Sequence, residues 1–315
     1  MSEKVTVASE SLNSCAGCEI AVVDLGVRLL DVLGLVDFVH IPVLMDHKYY
    51  GQTGDKTEMN IPEATVGLIS GGIRNQEHLE VAEEIRKKCK IIIALGTCAT
   101  HGGIPALINE FTNDDLMKRY YSTETTDQPN EWPKDGVPPL LERCYAVDEK
   151  IKVDVYLPGC PPHPDNIINA LTALISGKAL NLPTKSVCDT CPAIRHGKGQ
   201  IEKLQRFLSS PDYKSPDEPI SEMRCLLEQG ILCMGPVTRA GCGGDKVTPR
   251  CISARVPCRG CYGPVQQNGN QMLDMLNALV SNGIDIKSLP EYASMLRFSG
   301  AHNLLKPKLT EKEVK

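Results

Sequence analysis

Along its first half the chain alternates short apolar runs with amphipathic stretches, and glycines separate them. Residues 4–9 predict a first strand. Residues 19–33 carry apolar positions at helical spacing, with Ile20, Val23, Val27 and Leu30 on one face, and Gly34 ends the pattern. Residues 36–44 predict a second strand and residues 65–70 a third, stopped by Gly71 and Gly72. Residues 75–89 read as a helix with a charged face. Residues 90–95 are a short apolar run of the kind a fully buried strand shows, and residues 152–157 predict one more strand. Residues 165–175 predict a helix closed by Gly177. Strands and helices alternating in this way imply an α/β fold, a parallel sheet covered by helices on both faces. Between the last two strands, residues 120–139 are polar and rich in Thr and Pro, which marks a surface excursion without assigned structure.

After Leu182 and Pro183 this rhythm stops. Glycine and proline recur, and eight cysteines fall between Cys188 and Cys261. The change of texture divides the chain into domains at 1–183 and 184–315. The second is expected to be smaller, mostly irregular and helical. Helical spacing returns over residues 266–282, with Met272, Met275, Leu276 and Leu279 in register. The charged tail from 306 to 315 is expected to pack on a partner or stay mobile.

The 315 residues, 42% of them hydrophobic, suffice for two cores. A net charge of -5 without a basic run argues against nucleic acid or an anionic membrane as partner. The polar start of the chain and the absence of any apolar run near ~18 residues predict a soluble, cytoplasmic protein. Fourteen cysteines in a chain of this size and compartment imply metal or redox chemistry in place of disulfides.

The placement of those cysteines sharpens the picture. Cys15 and Cys18 follow the first strand. Cys98 follows the strand at 90–95, within Gly96-Thr97-Cys98-Ala99-Thr100-His101-Gly102-Gly103. Cys160 follows the strand at 152–157, within Pro158-Gly159-Cys160-Pro161-Pro162. Ligands of an open parallel sheet collect beyond the carboxyl ends of its strands, so four thiols are expected on one sheet edge. The glycines beside them let backbone N–H groups approach sulfur. Four thiols without matching histidines or carboxylates suit an iron–sulfur cluster better than a catalytic metal.

Cys-x-x-Cys, Gly-Thr-Cys-x-x-x-Gly-Gly and Pro-Gly-Cys-Pro-Pro, in this order, resemble the small, electron-transferring subunit of nickel–iron hydrogenases. They are shared more distantly with the cluster-bearing subunit of respiratory complex I. The resemblance covers residues 1–180 and continues through the cysteine-rich domain. It implies a flavodoxin-like first domain whose cluster, the proximal one, faces a nickel site on a separate large subunit. Its 4Fe–4S ligands are then Cys15, Cys18, Cys98 and Cys160. Gly17 stands where some oxygen-tolerant relatives carry an extra cysteine, which implies an ordinary cluster. Two further 4Fe–4S clusters are implied, a distal one on Cys188, Cys191, Cys225 and Cys233 and a medial one on Cys242, Cys251, Cys258 and Cys261. The chain departs from the periplasmic pattern twice: Cys188 replaces a histidine ligand, and Cys251 stands where a proline often leaves a three-iron cluster.

Within the family the chain resembles the methyl-viologen-reducing type of methanogens. That implies electron transfer to a small iron–sulfur acceptor subunit and the heterodisulfide reductase flavoprotein. Alternatives are a complex-I-like subunit, opposed by Ala16 and Gly17 between the cysteines and by the eight later thiols, and the gamma subunit that reduces a deazaflavin coenzyme, opposed by the missing bacterial-ferredoxin run. Cys188-x-x-Cys191 and Cys258-x-x-Cys261 are also acceptable zinc spacings, so a zinc-braced structural subunit is the non-redox alternative. Cys89 and Cys144 match no motif, and Cys89 reads as an inert core thiol. Glu19 either tunes the cluster or relays protons, or else caps its helix. His101 is expected to bond backbone or a partner, and His163 is ambiguous. His196 stands at the wrong spacing from Cys191 for a nickel tail, and the methionines read as packing.

Overall fold

The computed structural model describes residues 4–307, apart from 52, 128–130, 202, 206–217 and 290. The expected tail lies mostly outside the described residues. The chain runs β1 (Val5–Ser11), α1 (Gly17–Val23), α2 (Arg28–Leu35), β2 (Val36–His40), β3 (Ala64–Ser70), β4 (Ile73–Asn75), α3 (Gln76–Lys88), β5 (Cys89–Leu95), α4 (Gly96–His101) and α5 (Asn113–Tyr121). It continues with β6 (Leu140–Tyr145), β7 (Val155–Leu157), α6 (Pro164–Ile175), α7 (Arg250–Ser253) and α8 (Gln271–Ser281), with short 3-10 turns between them.

Five strands form one parallel sheet in the order β2-β1-β3-β5-β7. Counted along the chain, that is the 2-1-3-4-5 order of a flavodoxin-like sheet. Register is set by apolar residues facing one another, Val7 beside Val66, Val66 beside Ile91 and Ile93 beside Val155. The charged-faced helix is α3. Asn75 caps it, its side chain accepting from the His78 N–H at 2.8 Å, and Val81, Ala82 and Ile85 turn into the core with Ile69 and Ile92. At the ends of β1 and β2, wholly buried His40 bonds Glu10, whose second oxygen accepts from the Tyr49 hydroxyl at 2.8 Å. That network ties the segment after β2 to the sheet.

Three expectations change. The single helix over 19–33 is two, α1 and α2, parted by a turn in which Gly26 has φ 60°. Its expected face is exposed, Ile20 by 55%, Val23 by 44%, Val27 by 82% and Leu30 by 70%, while Ala21, Val22, Leu25 and Val32 are buried. Periodicity locates an apolar stripe but cannot tell which neighbour covers it. Second, β4 and β6 make an antiparallel ribbon that no strand signal marked. Third, the strands at 36–44 and 152–157 are shorter, ending at His40 and beginning at Val155.

The chain forms two compact units, Met1–Pro161 with the segment from Gly300 onward, and Pro162–Ser299. The division thus falls before α6, not near 183. The reason lies in hydrogen bonds between segments remote in sequence. The His163 N–H donates to the Tyr262 hydroxyl at 2.7 Å, Asn166 donates to the Gly241 carbonyl at 3.1 Å, and the Asp245 N–H donates to Asp165 at 2.9 Å. In the second unit Met275 and Leu279 of α8 pack with Val187, Met234 and Met295, and a smaller cluster joins Ala193, Met223, Leu226 and Ile252. Among the described residues no helix is long and apolar enough to cross a membrane.

Ile85 is wholly buried where α3 meets the sheet. Ile85→Ala should lower stability by about 2–5 kcal/mol, read as a lower denaturant midpoint by circular dichroism.

Candidate metal centres

The first set of thiols sits where β1, β5 and β7 end. Beyond β1 the chain crosses to the β3 end, the Leu12 N–H donating to the Ser70 carbonyl at 2.9 Å and Asn13 and Gly72 exchanging bonds at 3.1 Å. Ala16 then takes a left-handed conformation, φ 60°, and its N–H donates to the Ser14 hydroxyl at 3.1 Å. This turn leaves Cys15 exposed and carries Cys18 into the buried first turn of α1. At the β5 end Gly96 has φ 85°, and a Cβ there would collide with the Cys18 sulfur. Helix α4, which bears Cys98, and the loop bearing Cys160 are joined reciprocally. The Thr97 N–H donates to the Gly159 carbonyl at 2.8 Å, and the Gly159 N–H donates to the Thr97 hydroxyl at 2.8 Å. A cis peptide links Cys160 to Pro161.

These four thiols feel one another. Burial pushes Cys18 far above the usual thiol range, and Glu19, Cys98, Cys160 and Cys15 push it further. Burial, then Cys160 and Cys15, push Cys98 up to about 12, while the Ile104 N–H facing its sulfur works the other way. Cys160 is raised by burial and by Cys15. So many thiolates cannot share a buried pocket unless a cation offsets their charge. A set of sulfur donors that resists ionisation alone suits an iron–sulfur cluster, whose iron charges would reverse that balance. Among the described residues no three His, Cys, Asp or Glu side chains are drawn together tightly enough to hold a single metal ion.

Two groups of thiols occupy the second unit. Cys188, Cys191, Cys225 and Cys233 line one cavity with apolar walls that include Met223 and Ile252. Burial, then Cys233, Cys225 and Cys191, push Cys188 up to about 12, with Arg195 opposing. Burial pushes Cys233 up to about 11 against the N–H groups of Gly235 and Cys258, the latter 3.2 Å from its sulfur. In the other group burial and Cys251 raise Cys242, which the Arg250 N–H opposes. Burial and Cys233 raise Cys258, and Cys261 adds to them. Tyr262 feels the charge of both Cys242 and Cys261. Cys258 therefore neighbours thiols of both groups.

Several other residues find their places. Glu19 is 2% exposed and makes no capping bond; its Oε1 accepts from the Ser70 hydroxyl, and its Oε2 is buried without a partner among the described residues. From Ser70 a hydroxyl chain runs through Ser11 at 3.3 Å to Ser14 at 2.7 Å. His101 is buried, its Nδ1 2.7 Å from the Thr100 hydroxyl. His163 caps α6, its Nδ1 accepting from the Asp165 N–H at 3.2 Å. The His196 N–H donates to Glu228 at 2.9 Å. Cys89 packs in the first core, as an inert thiol would. Cys144 had no motif to mark it, yet the β4–β6 ribbon brings it beside the first set. It is wholly buried, Asn13 bonds its sulfur, and its charge raises Cys98.

Thiolate is the reacting form of cysteine. In the metal-free chain Cys98 should therefore hold on the order of 1,000-fold less thiolate at pH 8 than an ordinary exposed thiol, and alkylate with iodoacetamide on the order of 100-fold more slowly because a more basic thiolate is also more nucleophilic. Its rate should keep rising beyond pH 10, towards its value of about 12, as followed by mass spectrometry.

Residues 15–174 match the family model of the NADH ubiquinone oxidoreductase 20 Kd subunit. A vhu subunit of the F420-non-reducing hydrogenase of Methanocaldococcus jannaschii is 38% identical over 93% of this chain and 93% of its own length. The iron-sulfur subunit of the F420-non-reducing hydrogenase of Archaeoglobus profundus is 36% identical over 86% of this chain and 85% of its own. A chain of the NiFeSe-hydrogenase of Dm. baculatum shares the fold, with a TM-score of 0.52 at 18% identity over 85% of this chain and 96% of that one. This chain belongs to the NADH ubiquinone oxidoreductase 20 Kd subunit family, as a small subunit of the hydrogenases within it.

Proposed function

We propose that this chain is the electron-relay subunit of a cytoplasmic nickel–iron hydrogenase of the methyl-viologen-reducing type. The observation that carries the reading is the set of four interacting thiols drawn from three strand ends of one sheet. When bound, three 4Fe–4S clusters supply one-electron sites between dihydrogen oxidation on the large subunit and a small iron–sulfur acceptor with its heterodisulfide reductase flavoprotein. Cys15, Cys18, Cys98 and Cys160 hold the proximal cluster. Cys242, Cys251, Cys258 and Cys261 hold the medial one, and Cys188, Cys191, Cys225 and Cys233 the distal one. The iron-sulfur name of the Archaeoglobus profundus relative supports the cofactor class.

The chain's own residues hold the sulfurs, exclude water and present a docking face. Burial of Cys18, Cys233 and Cys258 keeps water from those sulfurs. Ile20 and Val23 of α1, Val27 of the turn and Leu30 of α2 follow Cys18 along the chain and are exposed, open to a partner. We assign them to contact with the large subunit, since electrons must enter beside Cys15. Arg195, beside Cys188 and Cys191, offers positive charge to an acceptor.

The purified hydrogenase complex should be brown, with about twelve irons on this chain, and dihydrogen should bleach it. A colourless chain with stoichiometric zinc would end the reading. Cys160→Ala should abolish acceptor reduction while the large subunit still exchanges hydrogen isotopes; undiminished reduction contradicts the proximal assignment. Ile20→Asp combined with Val27→Asp should weaken association with the large subunit by tenfold or more, about 1.4 kcal/mol, in a pull-down titration.

A further inference from the structure

The segment from Gly300 leaves the second unit and returns to the first, where it lies against the Cys98 loop, which is the short helix α4 with the turn that follows it to Ala106. The Ala301 N–H donates to the His101 carbonyl at 3.1 Å. Gly102, with φ 88°, has no room for a side chain: a Cβ there would stand 2.7 Å from the Ala301 Cβ and 2.9 Å from its nitrogen. Asn109, buried behind the loop, donates to the Cys144 carbonyl at 2.9 Å and the Gly300 carbonyl at 3.5 Å. The residue after Ala301, His302, is the fastening. Its N–H donates to Glu149 at 3.1 Å, and its Nε2 lies 2.8 Å from Asp148. Its ring and the buried ring of His101 stand edge to face, with centroids 6.3 Å apart.

The backbone at this point is held against its preference. His302 and Asn303 have φ of 53° and 62°, the left-handed region that side chains other than glycine seldom adopt. Such a conformation persists where surrounding bonds over-determine it, and here those bonds are the two to Asp148 and Glu149.

We propose that His302 is a positioning residue: by gripping Asp148 and Glu149 it clamps Ala301 onto His101 and Gly102, and so sets the conformation of the loop that presents Cys98. The link from loop to cluster rests on the reading of Cys98 as a ligand; the clamp itself does not. The loop's internal bonds, from the Gly102 N–H to the Cys98 carbonyl at 3.0 Å and from the Ala106 N–H to the Gly102 carbonyl at 3.1 Å, report whether it is held.

The clamp has a pH dependence with a defined sign. The groups facing His302 are Asp148, Glu149, Arg143 and His101, with Tyr156 donating to Asp148 at 3.2 Å and Arg143 paired with Glu149 at 2.6 Å. The hydrogen bond to Asp148 raises the affinity of His302 for its proton, burial opposes this, and the charges of Asp148 and Glu149 add to it against Arg143. A folded value above the unfolded one means that this contribution is complete below the unfolded value. It fades as pH rises through the folded value.

The test uses the isolated hydrogenase complex with His302→Ala, Asp148→Asn and His302→Gln. Hydrogen exchange by mass spectrometry should show residues 96–106 losing protection about tenfold in the first two, with β1 and β3 unchanged. His302→Gln, which keeps a donor for Asp148, should recover much of it. In the wild type, protection corrected for intrinsic exchange should fall from pH 6 to pH 9. Electron paramagnetic resonance of the reduced complex should show a changed line shape in His302→Ala and a recovered one in His302→Gln. Unchanged exchange at 96–106, or a loss spread equally over the sheet, overturns the clamp. Faster exchange with an unaltered line shape overturns its link to Cys98. A wild-type complex without any iron–sulfur signal overturns the functional reading instead, and exchange still decides the clamp.

Discussion

Everything at the first site depends on holding Cys18, Cys98 and Cys160 beside Cys15 in a pocket that disfavours their ionisation. Burial first, and then neighbouring groups, drive Cys18 and Cys98 towards the protonated form. Such an arrangement is stable in the fold because the backbone, not the sulfurs, holds it. Thr97 and Gly159 lock two of the loops together, and the Asn13–Gly72 pair locks the third to the sheet. Gly96 is there because any side chain would occupy the space of the Cys18 sulfur.

The second unit solves the same problem with less regular structure. Among the described residues its helices are few, and apart from Cys251 on α7 its thiols hang on 3-10 turns and loops stiffened by N–H groups that point at sulfur, from Gly235 and Cys258 to Cys233 and from Arg250 to Cys242. Two modest apolar clusters surround them. In such a unit, binding of a thiolate cluster and folding are linked, because the ligands ionise only when iron takes the place of their protons.

Polar groups inside the first unit are arranged to different ends. Glu19 contributes negative charge beside Cys18 and is reached by a chain of serine hydroxyls. Glu10, His40 and Tyr49 form a closed network that anchors a surface segment, and Cys144 adds a fifth sulfur whose charge is felt at Cys98. Glu19, Glu10, His40 and Cys144 are buried, so each acts in a medium that strengthens its influence over neighbours.

The linear order of residues determined the parallel sheet, most of its strands, α3 and α6, and the edge on which Cys15, Cys18, Cys98 and Cys160 gather. All of these follow from local periodicity and from the rule that strand ends bear ligands. The hydrogenase family was legible for the same reason, since its motifs are short and contiguous. Tertiary structure decided what depends on contacts across long separations. It broke the helix over 19–33 and left Ile20, Val23, Val27 and Leu30 exposed, because burial is a property of neighbours and not of spacing. It drew Cys144 in through the β4–β6 pairing, moved the unit boundary to 161, and brought His302 back to the Cys98 loop. No local pattern encodes a hydrogen bond between residues 148 and 302; only the closed chain makes it.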